Sequence, residues 1–221
     1  MDIGITPDLL STMYNKQYEL QLYMHERRGL QSPPERESRI VTHEHVLAAV
    51  YFVTCLNIEF SELYDAYKDY LNSLDTEDSE LITAKRAVAL EECIDCVHFA
   101  LTIFIHLGLK ENYARKLYHF RMGSLDSFAE SVGSSMISIS EVLRILPYKT
   151  WKDADSIVEL TQEYESFLFS RMSLVYNNLL DFAIFDLHAS YEEFTDAYIK
   201  KNALNFRRQD DKALGYLTNH V

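Results

Sequence analysis

Two short stretches place acidic side chains at a spacing that can do chemistry. In NIEFSELYDAY, Glu59 and Glu62 stand three residues apart, and in EECIDCVHF the same interval separates Glu92 from Asp95. On a helix, residues at that interval lie one above the other on a single face. Like charges so placed repel by roughly 0.2–0.5 kcal/mol in water and by far more when desolvated. A solvated acidic face explains either pair taken alone. The neighbours change the balance: Phe60, Leu63, Ile94, Val97 and Phe99 flank the acids, so each acidic face adjoins an apolar one and the two can meet between antiparallel helices. Four carboxylates gathered there would repel unless cations sat among them, and hard oxygen ligands suit Mg²⁺ or Mn²⁺. Magnesium held by several carboxylates keeps waters and serves a phosphate-bearing substrate, where it neutralises charge and activates a water nucleophile. The expected chemistry is phosphate hydrolysis.

Other metals compete for the same stretch. A di-iron bundle would want Glu-x-x-His on two helices, and the sequence contains no Glu-x-x-His. Cys93 and Cys96 are spaced like zinc ligands, but a structural zinc site needs four ligands and the remaining cysteine, Cys55, is isolated. Thiols in an apolar helix serve as small core residues, and that is the reading adopted for this pair. His98 reads as a core histidine that orients a neighbour, with a hydrogen bond to a metal-binding carboxylate as the alternative. Asp65 stays outside the metal set.

The elements that must position these acids are helices. Only six glycines and four prolines interrupt 221 residues, and two of the prolines adjoin in QSPPERES. A first helix over residues 6–28 opens with Thr6 as a cap and Pro7 in the first turn. A second runs from about 42 to 74 on the stripe Val46, Ala49, Val50, Val53, Leu56, Ile58, Phe60 and Leu63, and LDTEDSE links it to a third over about 79–107 that stops at Gly108. Shorter segments follow in GSLDSFAESVGSS and ISEVLRILPYKTW, then a long helix over about 156–187 and a last one over about 191–206. With no internal repeat and no low-complexity linker, the chain reads as one all-α domain, a helical bundle spanning residues 1–221.

Composition sets outer bounds. A hydrophobic fraction of 48% with 25% charged residues is that of a globular chain. The net charge of −13 argues against a nucleic-acid or anionic-membrane surface, since both need a basic footprint. The N-terminus does not resemble a secretory signal, and no apolar run approaches the ~20 residues that span a bilayer. Three cysteines do not make a disulfide framework. A cytoplasmic protein is expected.

The motifs themselves resemble a known family. Glu59-x-x-Glu62 followed by Glu92-x-Ile94-Asp95-x-x-His98-Phe99 resembles the all-α nucleoside triphosphate pyrophosphatases, in the dimeric dUTPase branch with its phage dCTP/dUTP pyrophosphatase relatives. KKNALNFRRQDDKALGY is similar to the C-terminal pattern of that family. Gln17-x-x-Leu20-Gln21 is similar to the helix that supports the base, and Gln at the last position looks like the phage dCTP/dUTP enzymes.

The resemblance implies an all-α bundle, a homodimer and a Mg²⁺-dependent hydrolysis of dUTP, dCTP or both to the monophosphate and pyrophosphate, in host cytoplasm if the chain is phage-encoded. It implies that Glu59, Glu62, Glu92 and Asp95 bind the metal, with Mn²⁺ as a substitute, and that Glu62 orients or deprotonates the attacking water. Lys201, Asn205, Arg208 and Tyr216 would reach the phosphates or close over the nucleotide, and Gln17 and Gln21 would face the base. Each has a plainer reading: basic residues near a helix C-terminus are favourable for the helix dipole alone, and the glutamines fit an amphipathic surface. Two departures stand out. A tryptophan-lysine segment common between the acidic helices of the family is missing, leaving Lys68, Lys85 and Arg86 as cations in that interval, and Lys212 to Leu214 are additional residues before Gly215-Tyr216. A same-fold enzyme for purine or modified nucleotides, and a non-catalytic helical interaction protein, remain as alternatives.

Overall fold

Capping side chains and chain breakers set the limits of the helices. The computed structural model describes residues 8–114, 128–145 and 157–211. The expected capping residues Thr6 and Pro7, the lone Trp151 and the candidate site residue Tyr216 lie outside them. In chain order the elements are α1 (Asp8–Arg28), β1 (Ile40–Thr42), α2 (His43–Ser73), α3 (Ser79–His106), the single turn α4 (Glu111–Ala114), α5 (Phe128–Ile145), β2 (Ile157–Glu159), α6 (Gln162–Asp181) with a π-helical turn (Phe182–Asp186), and α7 (Tyr191–Asp210). The all-α class holds.

Local chemistry starts each long helix. Asp78 caps α3 by accepting from the backbone N–H of Glu80 and Leu81, and Ser190 caps α7 by accepting from that of Glu193. At the head of α2 the imidazole of His45 accepts from the Thr42 N–H at 3.0 Å. Gly108 ends α3 with φ +95, a conformation that favours glycine; a Cβ there would come within 2.9 Å of the Leu160 side chain and 3.0 Å of Val41.

α2 and α3 run antiparallel. Lys85 reaches Asp69 at 2.6 Å near their connection, while at the other end Phe52 faces His106 with ring centroids 5.4 Å apart. α3 is the central helix, and every residue from Ala100 to His106 is buried. α1 and α7 close one side of it, where the Tyr198 hydroxyl donates to the Met13 carbonyl at 3.0 Å. α6 closes another, where the Cys93 thiol donates to the Leu179 carbonyl, and α5 backs α6 through Arg171 and Glu141 at 2.9 Å.

Three features differ from the sequence reading. Residues 157–159 form a strand, not the start of a helix, and pair antiparallel with β1 through Ile40↔Glu159, Val41↔Val158 and Thr42↔Ile157. The helix expected from 156 therefore begins at Gln162, where Thr161 accepts from the Tyr164 N–H at 3.2 Å, and it ends in the π-turn. Much of the region read as two short segments is one helix, α5. By length and composition α2 is apolar enough to cross a membrane, contrary to the expectation of no such run; it lies along α3 with only part of its surface buried.

Candidate active site

The antiparallel pairing of α2 and α3 brings the two acidic pairs together. Glu59 and Glu62 from α2 and Glu92 from α3 present carboxylate oxygens that all lie within 4.8 Å of one another. Burial and the charges of Asp95, Glu62 and Glu92 push the Glu59 carboxyl up to about 7. Burial, then Asp95, raises Glu92 as well.

Asp95, the fourth expected ligand, does not join this group. Its Oδ2 lies 2.5 Å from the Lys201 ammonium of α7, and Lys201 also reaches Glu91 at 2.8 Å. The Lys201 side chain is only 10% exposed and that of Asp95 14%. Burial works against the charge of Lys201, but its bonds to Asp95 and Glu91 outweigh that and raise its pKa. Burial likewise opposes the Asp95 charge while Lys201 favours it. We read the contact as an ion pair, because the bonds to Asp95 and Glu91 together keep the ammonium charged against its own desolvation.

One turn further along α3 lies a second polar assembly. Gln17 of α1 donates through Nε2 to the Thr102 hydroxyl at 2.7 Å, and Thr102 in turn donates to the His98 carbonyl at 2.9 Å. The Gln17 Oε1 sits 2.6 Å from His98 Nδ1, which must be the protonated nitrogen since a carbonyl oxygen only accepts. Gln21 also donates to Thr102, at 3.3 Å. The His98 ring stacks on Tyr198, centroids 4.2 Å apart, and burial lowers its pKa to about 3, so it is neutral.

The two assemblies share a cavity of about 110 Å³. Gln17, Gln21 and Asn205 line it together with Glu59 and Asp95, between the rings of Phe52 and Phe99. Arg208 stands beside Asn205, donating to its Oδ1 at 3.3 Å. Of the residues expected to bind metal or nucleotide, Glu59, Glu62, Glu92, Asp95, Gln17, Gln21, Lys201, Asn205 and Arg208 are therefore gathered around the α1–α2–α3–α7 junction, and Tyr216 lies outside the described residues. Thr102, Tyr198, Glu91 and Gln209 also belong to it and were not singled out. A signal existed for Thr102, which lies four residues from His98 on the same helix face. None existed for the others.

The remaining candidates are spent elsewhere. Lys85 pairs with Asp69, and Arg86 forms a fork to both carboxylate oxygens of Glu193, at 2.6 and 2.8 Å, while donating to the Leu187 and His188 carbonyls. Cys93 and Cys96 are fully buried, and burial raises both thiols, which disfavours the thiolate that a metal would need.

The family model described as dUTPase matches residues 9–213. Comparison with curated proteins and with solved structures gave no match. The chain belongs to the dUTPase family and is a nucleoside triphosphate pyrophosphatase, a hydrolase of nucleotide metabolism.

Proposed function

We propose that this member of the dUTPase family hydrolyses dUTP, and dCTP at the same site, to the nucleoside monophosphate and pyrophosphate, using Mg²⁺ or in its place Mn²⁺. The observation that carries the reading is the convergence of Glu59, Glu62 and Glu92 within 4.8 Å. Three anionic oxygens so close, with one carboxyl pushed up to about 7, fit a hard divalent cation, with Asp95 as the fourth ligand. When bound, the ion supplies charge neutralisation at the phosphate oxygens and lowers the pKa of water.

The side chains do the positioning. Glu62, the solvent-facing member of the group, orients the attacking water and takes its proton as the new oxygen–phosphorus bond forms. The bond bridging the α- and β-phosphoryl groups breaks and its electrons leave with the bridging oxygen. Lys201 and Arg208 bind the phosphate oxygens, Lys as a point charge and Arg as a fork, with Tyr216 in the same role. Gln17 and Gln21 form the base-facing wall with Asn205; because the Gln17 amide is held by Thr102 and His98, it acts as a fixed surface.

A homodimer completes the proposal. The stretch 45–58 of α2 contains no Asp, Glu, Lys or Arg, and Leu47, Val50, Tyr51 and Ile58 are exposed along it, a surface that a second copy would cover. The cytoplasm is the proposed compartment.

The test is to incubate the protein with each dNTP, dUTP included, in Mg²⁺ and in EDTA, and to measure monophosphate and pyrophosphate. Metal-dependent release from dUTP and dCTP is expected. No release from any nucleotide by folded protein would overturn the reading.

A further inference from the structure

Lys201 sits where a metal-binding carboxylate needs to be free. Its ammonium is within 2.5 Å of Asp95 and 2.8 Å of Glu91, and Asp95 is the one expected ligand missing from the three-carboxylate group. The same lysine lies on α7 with Arg208, which binds the phosphates in the function proposed above. Its side chain has little solvent to retreat into. It can serve Asp95 or a phosphate oxygen, but a compact ammonium cannot do both at full strength.

We propose that Lys201 is a positioning residue that occupies Asp95 until a triphosphate draws it away, so that nucleotide binding releases the fourth carboxylate and completes the metal site. The inference rests on the pyrophosphatase reading and adds a coupling to it. A cation already present at the site offsets the acidic charge without nucleotide, and only the polyanionic substrate exchanges that internal cation for an external one. Coupling between two ligands is reciprocal: whatever factor the nucleotide adds to metal affinity, the metal adds to nucleotide affinity. The side chains around the exchange are Glu59 and Glu92 on one side and Glu91 on the other, so releasing Asp95 without a cation at hand would leave a buried carboxylate among like charges.

The coupling is read by Mn²⁺ binding, followed by electron paramagnetic resonance, with and without the non-hydrolysable α,β-imido analogue of dUTP. In the unaltered protein the analogue should raise Mn²⁺ affinity about tenfold, within the common range for coupled sites. Lys201→Met, similar in reach and uncharged, should bind Mn²⁺ about tenfold more tightly than the unaltered protein when no nucleotide is present, and the analogue should raise that affinity by a smaller factor than it does in the unaltered protein. Glu91→Gln guards against a folding failure, because Glu91 is 54% exposed and loosens only the outer anchor of Lys201. It should raise nucleotide-free Mn²⁺ affinity by about two- to threefold and leave the affinity of the nucleotide complex unchanged. If both variants bind Mn²⁺ without nucleotide no better than the unaltered protein does, Lys201 is a phosphate ligand only and the coupling is overturned. If the unaltered protein binds no Mn²⁺ with or without the analogue, the pyrophosphatase reading itself falls, and the coupling falls with it.

Discussion

Two polar assemblies sit one turn apart on α3, and they are built on opposite principles. Around His98, the polar groups interlock: Gln17 donates to Thr102, Thr102 to a carbonyl, and the imidazole Nδ1 to Gln17, while the buried Nε2 has no partner. Around Glu92, like charges converge and one carboxyl is pushed up to about 7. The first arrangement rigidifies the junction of α1, α3 and α7, because interlocked buried hydrogen bonds have one low-energy geometry. The second is destabilising as it stands and persists because α2 and α3 are locked together along their apolar faces. Like charges held together by the packing around them are the pattern of a functional site.

The sharpest way to separate the two is Glu62→Gln. Turnover should fall about a thousandfold, the scale of a lost general base, with helix content and midpoint of unfolding unchanged. Retained turnover would remove Glu62 from the role assigned to it. Gln17→Leu should act the opposite way: it leaves the buried His98 Nδ1 without its acceptor and takes from Thr102 the shorter of its two amide donors, and denaturant unfolding should show a loss of about 2–3 kcal/mol. A loss below about 0.5 kcal/mol would mean that the network is not the rigid element described here.

Acid should attack the histidine side of the comparison. His98 and His106 are buried and both are lowered to about 3 by desolvation, His106 with neither ring nitrogen partnered. Their ordinary value is 6.5, so below that pH the unfolded chain binds protons that the folded chain refuses. The stability held by the neutral rings is complete above 6.5 and is lost progressively as pH falls toward 3. Each ring should remove on the order of 1 kcal/mol per pH unit, and His106→Leu should remove its share of the slope in unfolding measured from pH 7 to 5.

The smallest effect belongs to Glu59. Its folded value is raised from 4.5 to about 7, so its contribution to stability is full at low pH and lost as pH rises through 7. Glu59→Gln in the absence of metal should therefore stabilise the fold at pH 8, by on the order of 1 kcal/mol once solvent screening of a half-buried group is allowed for. Destabilisation there would show that the carboxylates do not repel as described.

How much of this was legible in the sequence follows from contact range. The bounds of α2 and α3 and the meeting of Glu59 and Glu62 with Glu92 follow from i, i+3 spacing and one short connection, all local rules. The pairing of β1 with β2 was not, since Ile157 and Val158 gain strand geometry only from Val41 and its neighbours far back along the chain. Lys201 was assigned to phosphate, but its hold on Asp95 was invisible, because the partner comes from a helix packed sideways and no periodicity encodes that. The Gln17 amide shows the same limit: helical spacing placed it on the α1 face, and only packing turned it toward His98.

Arg86 has a mechanical consequence. By gripping Glu193 together with the carbonyls of Leu187 and His188, it nails down the start of α7, whose other end meets α1 through the Tyr23–Phe206 ring contact and the solvent-exposed contacts of Asp210 with Tyr23 and Arg27. The helix is thus a rod about 30 Å long, pinned at its root by Arg86 and at its middle by the bonds of Tyr198 and Asn202 to the Met13 and Lys16 carbonyls of α1. A tilt of a few degrees about that middle support moves the Asp210 end, about 12 Å away, by about 1 Å, and Asn205 and Arg208 ride at increasing distance from it while Lys201 stays near the pivot. The lever therefore gears a small motion at Lys201 into a larger one at Arg208.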